Sequence, residues 1–118
     1  MKISIITSVY NSSQTIEECI NSVSLQTYPI IEHIIIDGGS TNETLKIIRE
    51  YAEKNKNIMW ISEKDEGIYD ALNKGIRIAS GEIIGILHSD DIFATVDSIS
   101  KVVEIFKNED VDCCYSDL

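Results

Sequence analysis

The segment that most invites chemistry is Ile83-Ile84-Gly85-Ile86-Leu87-His88-Ser89-Asp90-Asp91-Ile92, where an apolar run ends on two adjacent carboxylates. Like charges held together at the exit of a buried strand repel, and a neighbouring cation removes that cost. Oxygen ligands suit a hard divalent ion, and Mg2+ in particular takes one or two carboxylates and completes its shell with substrate phosphates. The structural alternative has both carboxylates capping the next helix, where the helix dipole favours negative charge; the metal reading is preferred. His88 is a further candidate ligand, above all for Mn2+, although a hydrogen-bonded structural histidine is the preferred assignment.

Three other segments carry polar groups at the ends of apolar runs. Thr7-Ser8-Val9-Tyr10-Asn11 offers an aromatic ring and hydrogen-bonding groups where a base could stack and be read. A turn and helix cap made by Asn11 and Ser12 explains the same residues equally well. In Asp37-Gly38-Gly39-Ser40-Thr41 two glycines allow close approach of the backbone to a ligand, and Asp37 is a candidate acceptor for a base or ribose. Taken in isolation, that turn reads first as ordinary loop chemistry. In the run Ser62 to Gly75, Asp65, Asp70 and Asn73 are candidates to line a cleft and Lys74 to meet a phosphate, against the simpler reading of a solvated loop capping a helix. Neither a G-x-G-x-x-G fingerprint nor a G-x-x-x-x-G-K-[ST] loop is present.

The elements that must position these groups follow from patterning. Short β-branched runs at Ile3 to Val9, Ile30 to Ile36, Ile58 to Ile61, Ile83 to Leu87 and Val111 to Tyr115 predict five buried strands. Between them, helical spacing links Ile16, Cys19, Ile20 and Val23, then Leu45, Ile48 and Ala52. It continues in Ile68, Ala71, Leu72 and Ala79, and in Val96, Ile99, Val103 and Phe106. Ser12 or Ser13, Ser40 to Asn42 and Thr95 to Ser98 are the expected helix starts, and Gln26-Thr27-Tyr28-Pro29 closes the first helix. Alternating strands and helices with near-continuous apolar strands predict an α/β fold, a mostly parallel sheet with helices on both faces. Ligands of such sheets bind outside the carboxyl ends of the strands, where all four polar segments fall.

Composition narrows the partners. The 118 residues are 43% apolar and 25% charged with one proline, a folded globular composition. The net charge of −10 and the absence of any basic cluster exclude a nucleic-acid surface, but an acidic protein still binds a small polyphosphate when a metal stands between carboxylates and phosphates. No run approaches the roughly 18 to 20 apolar residues of a membrane span, and Met1 to Ile6 is too short for a signal peptide, so a cytoplasmic location is expected. Cys19, Cys113 and Cys114 have no metal-ligand spacing and read as buried free thiols. The sequence stops directly after the fifth predicted strand, at Tyr115-Ser116-Asp117-Leu118, so a fragment of a longer protein is expected.

Together the segments resemble glycosyltransferase family 2, whose members have the GT-A fold. The resemblance runs from Ile3 to Asp117 through Ser4-Ile5-Ile6-Thr7-Ser8-Val9-Tyr10-Asn11, Ser22-Val23-Ser24-Leu25-Gln26-Thr27-Tyr28 and Ile36-Asp37-Gly38-Gly39-Ser40-Thr41. It continues through Gly67-Ile68-Tyr69-Asp70-Ala71-Leu72-Asn73-Lys74-Gly75 and the stretch from Ser80-Gly81-Glu82 to Asp91. It implies that residues 1–118 are the Rossmann-like, donor-binding half of the domain, without the acceptor-binding half. Ser8, Tyr10 and Asp37 would hold the base, Asp65 would line the donor pocket, Asp90 would contact ribose or sugar, and Asp91 would ligate Mn2+ or Mg2+ bridging the phosphates. The implied reaction is inverting transfer from a nucleotide-diphosphate sugar, a UDP-sugar first, to a glycan or lipid-linked acceptor in surface polysaccharide synthesis, at the inner face of a membrane reached through other residues. The family's catalytic base is expected beyond Leu118, and Asp117 is not assigned that role. One departure is Gly38, where many members have a second acidic residue, which weakens the uracil preference. A receiver-type regulatory module is disfavoured because Tyr10-Asn11 and Ser116-Asp117 stand where its acidic pair and lysine belong. A nucleotidyltransferase is disfavoured because Thr7 to Thr15 lacks a glycine-rich basic loop. Self-association through an unfinished sheet edge, giving a homo-oligomer, is the remaining alternative.

Overall fold

The computed structural model describes residues 1–40, 43–64, 67–93 and 95–108, with residues 68 and 108 described by backbone alone. Four strands, β1 (Ile3–Val9), β2 (Ile31–Asp37), β3 (Ile58–Ser62) and β4 (Ile83–Ile86), alternate with four helices, α1 (Ile16–Ser24), α2 (Thr44–Lys54), α3 (Ile68–Ile78) and α4 (Ser98–Asn108). The sheet order is β3-β2-β1-β4 and every pairing is parallel. Both the α/β class and the four described strands agree with the sequence reading, with ends shifted by a residue. The predicted fifth strand, together with Asp65, Cys113, Cys114 and Asp117, lies outside the described residues. No helix among the described residues is long and apolar enough to cross a membrane.

Period-two geometry sends alternate side chains to opposite faces. Ile3, Ile5 and Val9 of β1 and Ile35 of β2 join Ile16, Cys19, Ile20 and Val23 of α1, Ile48 of α2 and Ile99 and Val103 of α4 in the larger core. Ile6, Ile34 and Ile36 point the other way and pack with Ala71 of α3. Helices therefore cover both faces, α3 alone on one of them among the described residues. Val96, expected on the fourth helix, precedes it and is 53% exposed.

Two helix starts differ from expectation. α1 is capped by Thr15 without a side-chain bond, and the Ser12 hydroxyl turns away to the Tyr10 carbonyl and to Ser89 Oγ. For α2 the residue at the cap is Glu43. α4 opens at Ser98, within the expected stretch; the Thr95 amide donates to Ser98 Oγ, Ser98 Oγ donates to the Thr95 carbonyl, and the Ile99 amide donates to Gln26 Oε1 at 3.0 Å.

Each face holds a buried polar contact. On the α3 face Glu32 Oε2 accepts from Ser4 Oγ at 2.6 Å and from the Ser80 amide and hydroxyl, both at 2.7 Å, with Lys2 Nζ 3.8 Å away. Burial alone would raise the Glu32 carboxyl, but these donors and the lysine hold it below the usual carboxylate range. The cluster fixes the α3–β4 turn on the start of β1 and so sets the position of β4. At Gly81 an added Cβ would lie 2.5 Å from Ser4 Oγ, 2.7 Å from Ser4 N and 2.9 Å from Lys2 O, two of them backbone atoms. Gly81→Ala should therefore cost about 1–3 kcal/mol in urea unfolding, the range for overpacked sites.

On the opposite face His33, 2% exposed, bonds Thr7 Oγ1 through Nε2 at 2.8 Å. Burial pushes its imidazole down to about 4 from the ordinary 6.5. The folded value lies below the unfolded one, so unfolding takes up a proton between them. The stabilisation is complete above about pH 6.5 and is lost as pH falls toward 4, about 3 kcal/mol in all. Comparing urea unfolding of the wild type and His33→Gln from pH 7 to pH 4 should show a free energy falling less steeply in the variant, by one proton's worth.

Candidate functional site

All four strands run in one direction, so their carboxyl ends share one rim. Register places Val9 beside Asp37, Asp37 beside Ser62, and Ile6 beside Ile86, two residues before His88. Three of the polar segments thus meet across adjacent strands, and the fourth follows from β4.

A cleft of about 560 Å3 opens at this rim, lined by Ser8, Val9, Tyr10, Gly38, Gly39, Lys64, Gly67 and Ala71. Ser8 and Tyr10 are where the sequence reading expects them, and Tyr10 is 61% exposed, its ring free to stack. Asn11 turns the chain with a φ of 46°, a left-handed conformation that asparagine tolerates, and its amide donates to Ser40 Oγ at 2.9 Å. That bond ties the end of β1 to the turn after β2.

Asp37 is held within the turn after β2. It is fully buried, and its carboxylate accepts from the Gly39 amide at 3.0 Å, the Ser40 amide at 2.8 Å and Ser62 Oγ at 2.9 Å, as well as from Ser40 Oγ. With no exposed surface in this structure, the side chain supports the Gly38-Gly39 wall of the cleft from beneath. Gly39 has a φ of +90°, the conformation that calls for glycine here, and an added Cβ would meet Lys64 Cα only at an ordinary contact distance of 3.6 Å.

Lys74, a candidate phosphate contact, is engaged elsewhere. Its Nζ pairs with Glu63 Oε1 at 3.1 Å and Asp70 Oδ2 at 3.4 Å. Burial would lower its pKa, but the two carboxylates raise it. The cation lining the cleft is Lys64, which the sequence reading passed over. Its one marker was its place just past an apolar strand, between Glu63 and Asp65, where it resembles any loop lysine.

After β4 the chain turns with the Asp91 amide donating to the His88 carbonyl at 3.0 Å. Ser89 Oγ meets Ser12 Oγ at 3.0 Å, anchoring this turn to the segment before α1. Asp90 is exposed and Asp91 half-buried, and the ion pairs of the described residues use other carboxylates. The His88 ring is exposed, and the residue acts structurally through its carbonyl. No group of three His, Cys, Asp or Glu among the described residues could hold a metal. Two adjacent carboxylates in no ion pair among the described residues nevertheless fit a hard divalent ion whose shell phosphate oxygens would complete, the arrangement Mg2+ favours over an all-protein cage.

Residues 4–117 match the profile described as glycosyl transferase family 2. The chain belongs to that family. It is 36% identical over 112 residues to an uncharacterized glycosyltransferase of Nostoc sp., covering 94% of this chain and 34% of that protein. It is 35% identical over 115 residues to the chondroitin synthase of Escherichia coli, covering 97% and 17%. The chain thus spans about a third or less of the length of these relatives. Among solved structures it resembles a mannosyltransferase from Pyrobaculum calidifontis in complex with GDP-Man and Mn2+, with a TM-score of 0.85 and 27% identity over 92% of this chain and 33% of that one. The fold is also that of S. aureus TarS 1–349 in complex with UDP-GlcNAc, with a TM-score of 0.86 at 24% identity over 100% of this chain and 37% of that one. The four parallel strands and four helices of this family 2 chain correspond to the N-terminal part of the GT-A fold.

The Asp37 geometry makes a specific prediction. Asp37→Ala leaves the Gly39 and Ser40 amides and two hydroxyls without their acceptor in a buried place. Urea unfolding should register a loss of about 2–4 kcal/mol, and Asp37→Asn a smaller one, because an amide oxygen retains part of the acceptor set.

Proposed function

We propose that residues 1–118 form the donor-binding half of an inverting, metal-dependent glycosyltransferase that uses a nucleotide-diphosphate sugar. The observation that carries this reading is the cleft walled by Ser8, Tyr10, Gly38 and Gly39 at the same sheet rim as the unpaired carboxylates Asp90 and Asp91. A flat base stacks on the Tyr10 ring and the Ser8 hydroxyl hydrogen-bonds it, while the glycine wall lets base and ribose approach the backbone closely. Asp90 contacts ribose or sugar. Asp91 would hold Mn2+ or Mg2+; Asp65, assigned to the donor pocket by the family resemblance, lies outside the described residues. A bound divalent ion would offset the charge that grows on the leaving nucleotide diphosphate.

A carboxylate that deprotonates the acceptor hydroxyl completes an inverting displacement, and none of the described residues is assigned that role. The acceptor is a glycan or lipid-linked hydroxyl of surface polysaccharide synthesis, in keeping with the chondroitin synthase similarity. UDP-sugars are the first donors to test, with GDP-sugars next, since similar folds are solved with UDP-GlcNAc and GDP-Man.

Calorimetric titration of UDP, GDP and CDP into the 118-residue chain, with and without Mn2+, tests the reading. One nucleotide should bind more tightly with metal, and Asp91→Ala should remove about tenfold or more of that affinity, ~1.4 kcal/mol per decade. Tyr10→Ala should weaken binding with and without metal alike. Equal binding by wild type and Asp91→Ala in Mn2+ would overturn the metal assignment, and sugar transfer by the chain alone would overturn the restriction to donor binding.

A further inference from the structure

Away from the cleft, the described residues hold a run of buried polar side chains that the donor site leaves unused. It lies on the α1 face of the sheet. His33 Nε2 is 2.8 Å from Thr7 Oγ1, Thr7 Oγ1 is 4.0 Å from Cys19 Sγ, and Cys19 Sγ is 3.6 Å from the His88 carbonyl oxygen. Thr7 and Cys19 are 0% exposed and His33 is 2% exposed.

Counting hydrogens gives one direction in which every contact of the run is a hydrogen bond. A carbonyl oxygen only accepts, so the single thiol hydrogen of Cys19 goes to His88. The sulfur can then only accept, and it takes the hydroxyl hydrogen of Thr7. In that direction Thr7 Oγ1 accepts from His33, whose proton then sits on Nε2. The other ring nitrogen, Nδ1, is left as a bare lone pair, and it is the buried side-chain nitrogen with no partner among the described residues. Burial pushes the Cys19 thiol up to about 11 against the bond from Thr7, with Asp91 and Asp90 adding to the rise, so the sulfur keeps its hydrogen at neutral pH.

The far end of the run is the carboxylate turn itself, because the His88 carbonyl that accepts from Cys19 also accepts the Asp91 amide at 3.0 Å. We propose that Thr7 and Cys19 are positioning residues for the Asp90-Asp91 turn, the run from His33 through Thr7 and Cys19 fixing the His88 carbonyl that closes it. Ser12, bonded to Ser89, holds the same turn from its other side. The geometry stands by itself, and the consequence for metal-dependent binding rests on the donor-site reading above.

The test uses the 118-residue chain with Thr7→Val, which removes the hydroxyl at nearly constant volume, Cys19→Ala, and Thr7→Ser, which restores the hydroxyl. Ile20→Val is the packing control, since Ile20 is 1% exposed on the same helix and outside the run. Without ligand, amide hydrogen exchange at Asp91 should quicken about tenfold in Thr7→Val and Cys19→Ala, return toward wild type in Thr7→Ser, and stay unchanged in Ile20→Val. The Ile35 amide in β2 should keep its protection throughout. With UDP as probe, the gain in affinity from Mn2+ should fall about tenfold in the two variants, while metal-free affinity is unmoved. Unchanged Asp91 exchange, or an equal change in Ile20→Val, overturns the proposal. Nitrogen-15 NMR of wild-type His33 supplies a check that needs no variant: a proton on Nε2 is expected, and a proton on Nδ1 refutes the direction of the run. A wild type whose UDP binding ignores Mn2+ sinks the donor-site reading, while the exchange data still decide the turn.

Discussion

The rim depends on β1 being hydrogen-bonded along both edges, to β2 on one side and β4 on the other, with all three strands parallel. Parallel pairing forces each connection to cross a face of the sheet, and the crossover segments become the covering helices. Because the strands point one way, residues more than 70 positions apart, Tyr10 and Asp90 among them, emerge at a common edge. An antiparallel arrangement of the same strands would send every second polar segment to the opposite end and leave no cleft.

Inside that frame, the buried polar groups set positions that apolar packing leaves loose. Glu32 with Ser4 and Ser80 seats the turn entering β4. Asp37 organises the turn after β2 and reaches across to Ser62 at the end of β3. Hydrophobic burial is non-directional, whereas each of these carboxylates accepts hydrogens from fixed directions, and an unmade bond in such a place is costly. Both sit on β2 at opposite ends and on opposite faces, so one strand references the neighbouring loops above and below the sheet.

The electrostatics divide along the same line. Glu63 and Asp70 share the single ammonium of Lys74 beside the cleft. Asp90 and Asp91 are left without a cationic partner among the described residues, in a chain of net charge −10. On the proposed donor reading, a cation brought in with a polyphosphate would meet these carboxylates.

The amino-acid sequence by itself determined the alternation of strands and helices and the parallel class, and with them the gathering of polar segments at the carboxyl ends of the strands, because period and strand polarity are local properties. It also singled out Ser8 and Tyr10, which line the cleft, and the carboxylate pair after β4. Only the tertiary structure decided that Asp37 faces inward, that Lys74 is occupied by Glu63 and Asp70 while Lys64 borders the cleft, and that Ser12 bonds Ser89 instead of capping α1. The types of these residues were legible, but their roles were not. A polar side chain takes the nearest complementary partner: for Ser12 that is Ser89 and for Asp37 it includes Ser62, both brought close only by folding, whereas Lys74 takes Asp70 one turn earlier on α3 and Glu63 at the exit of β3.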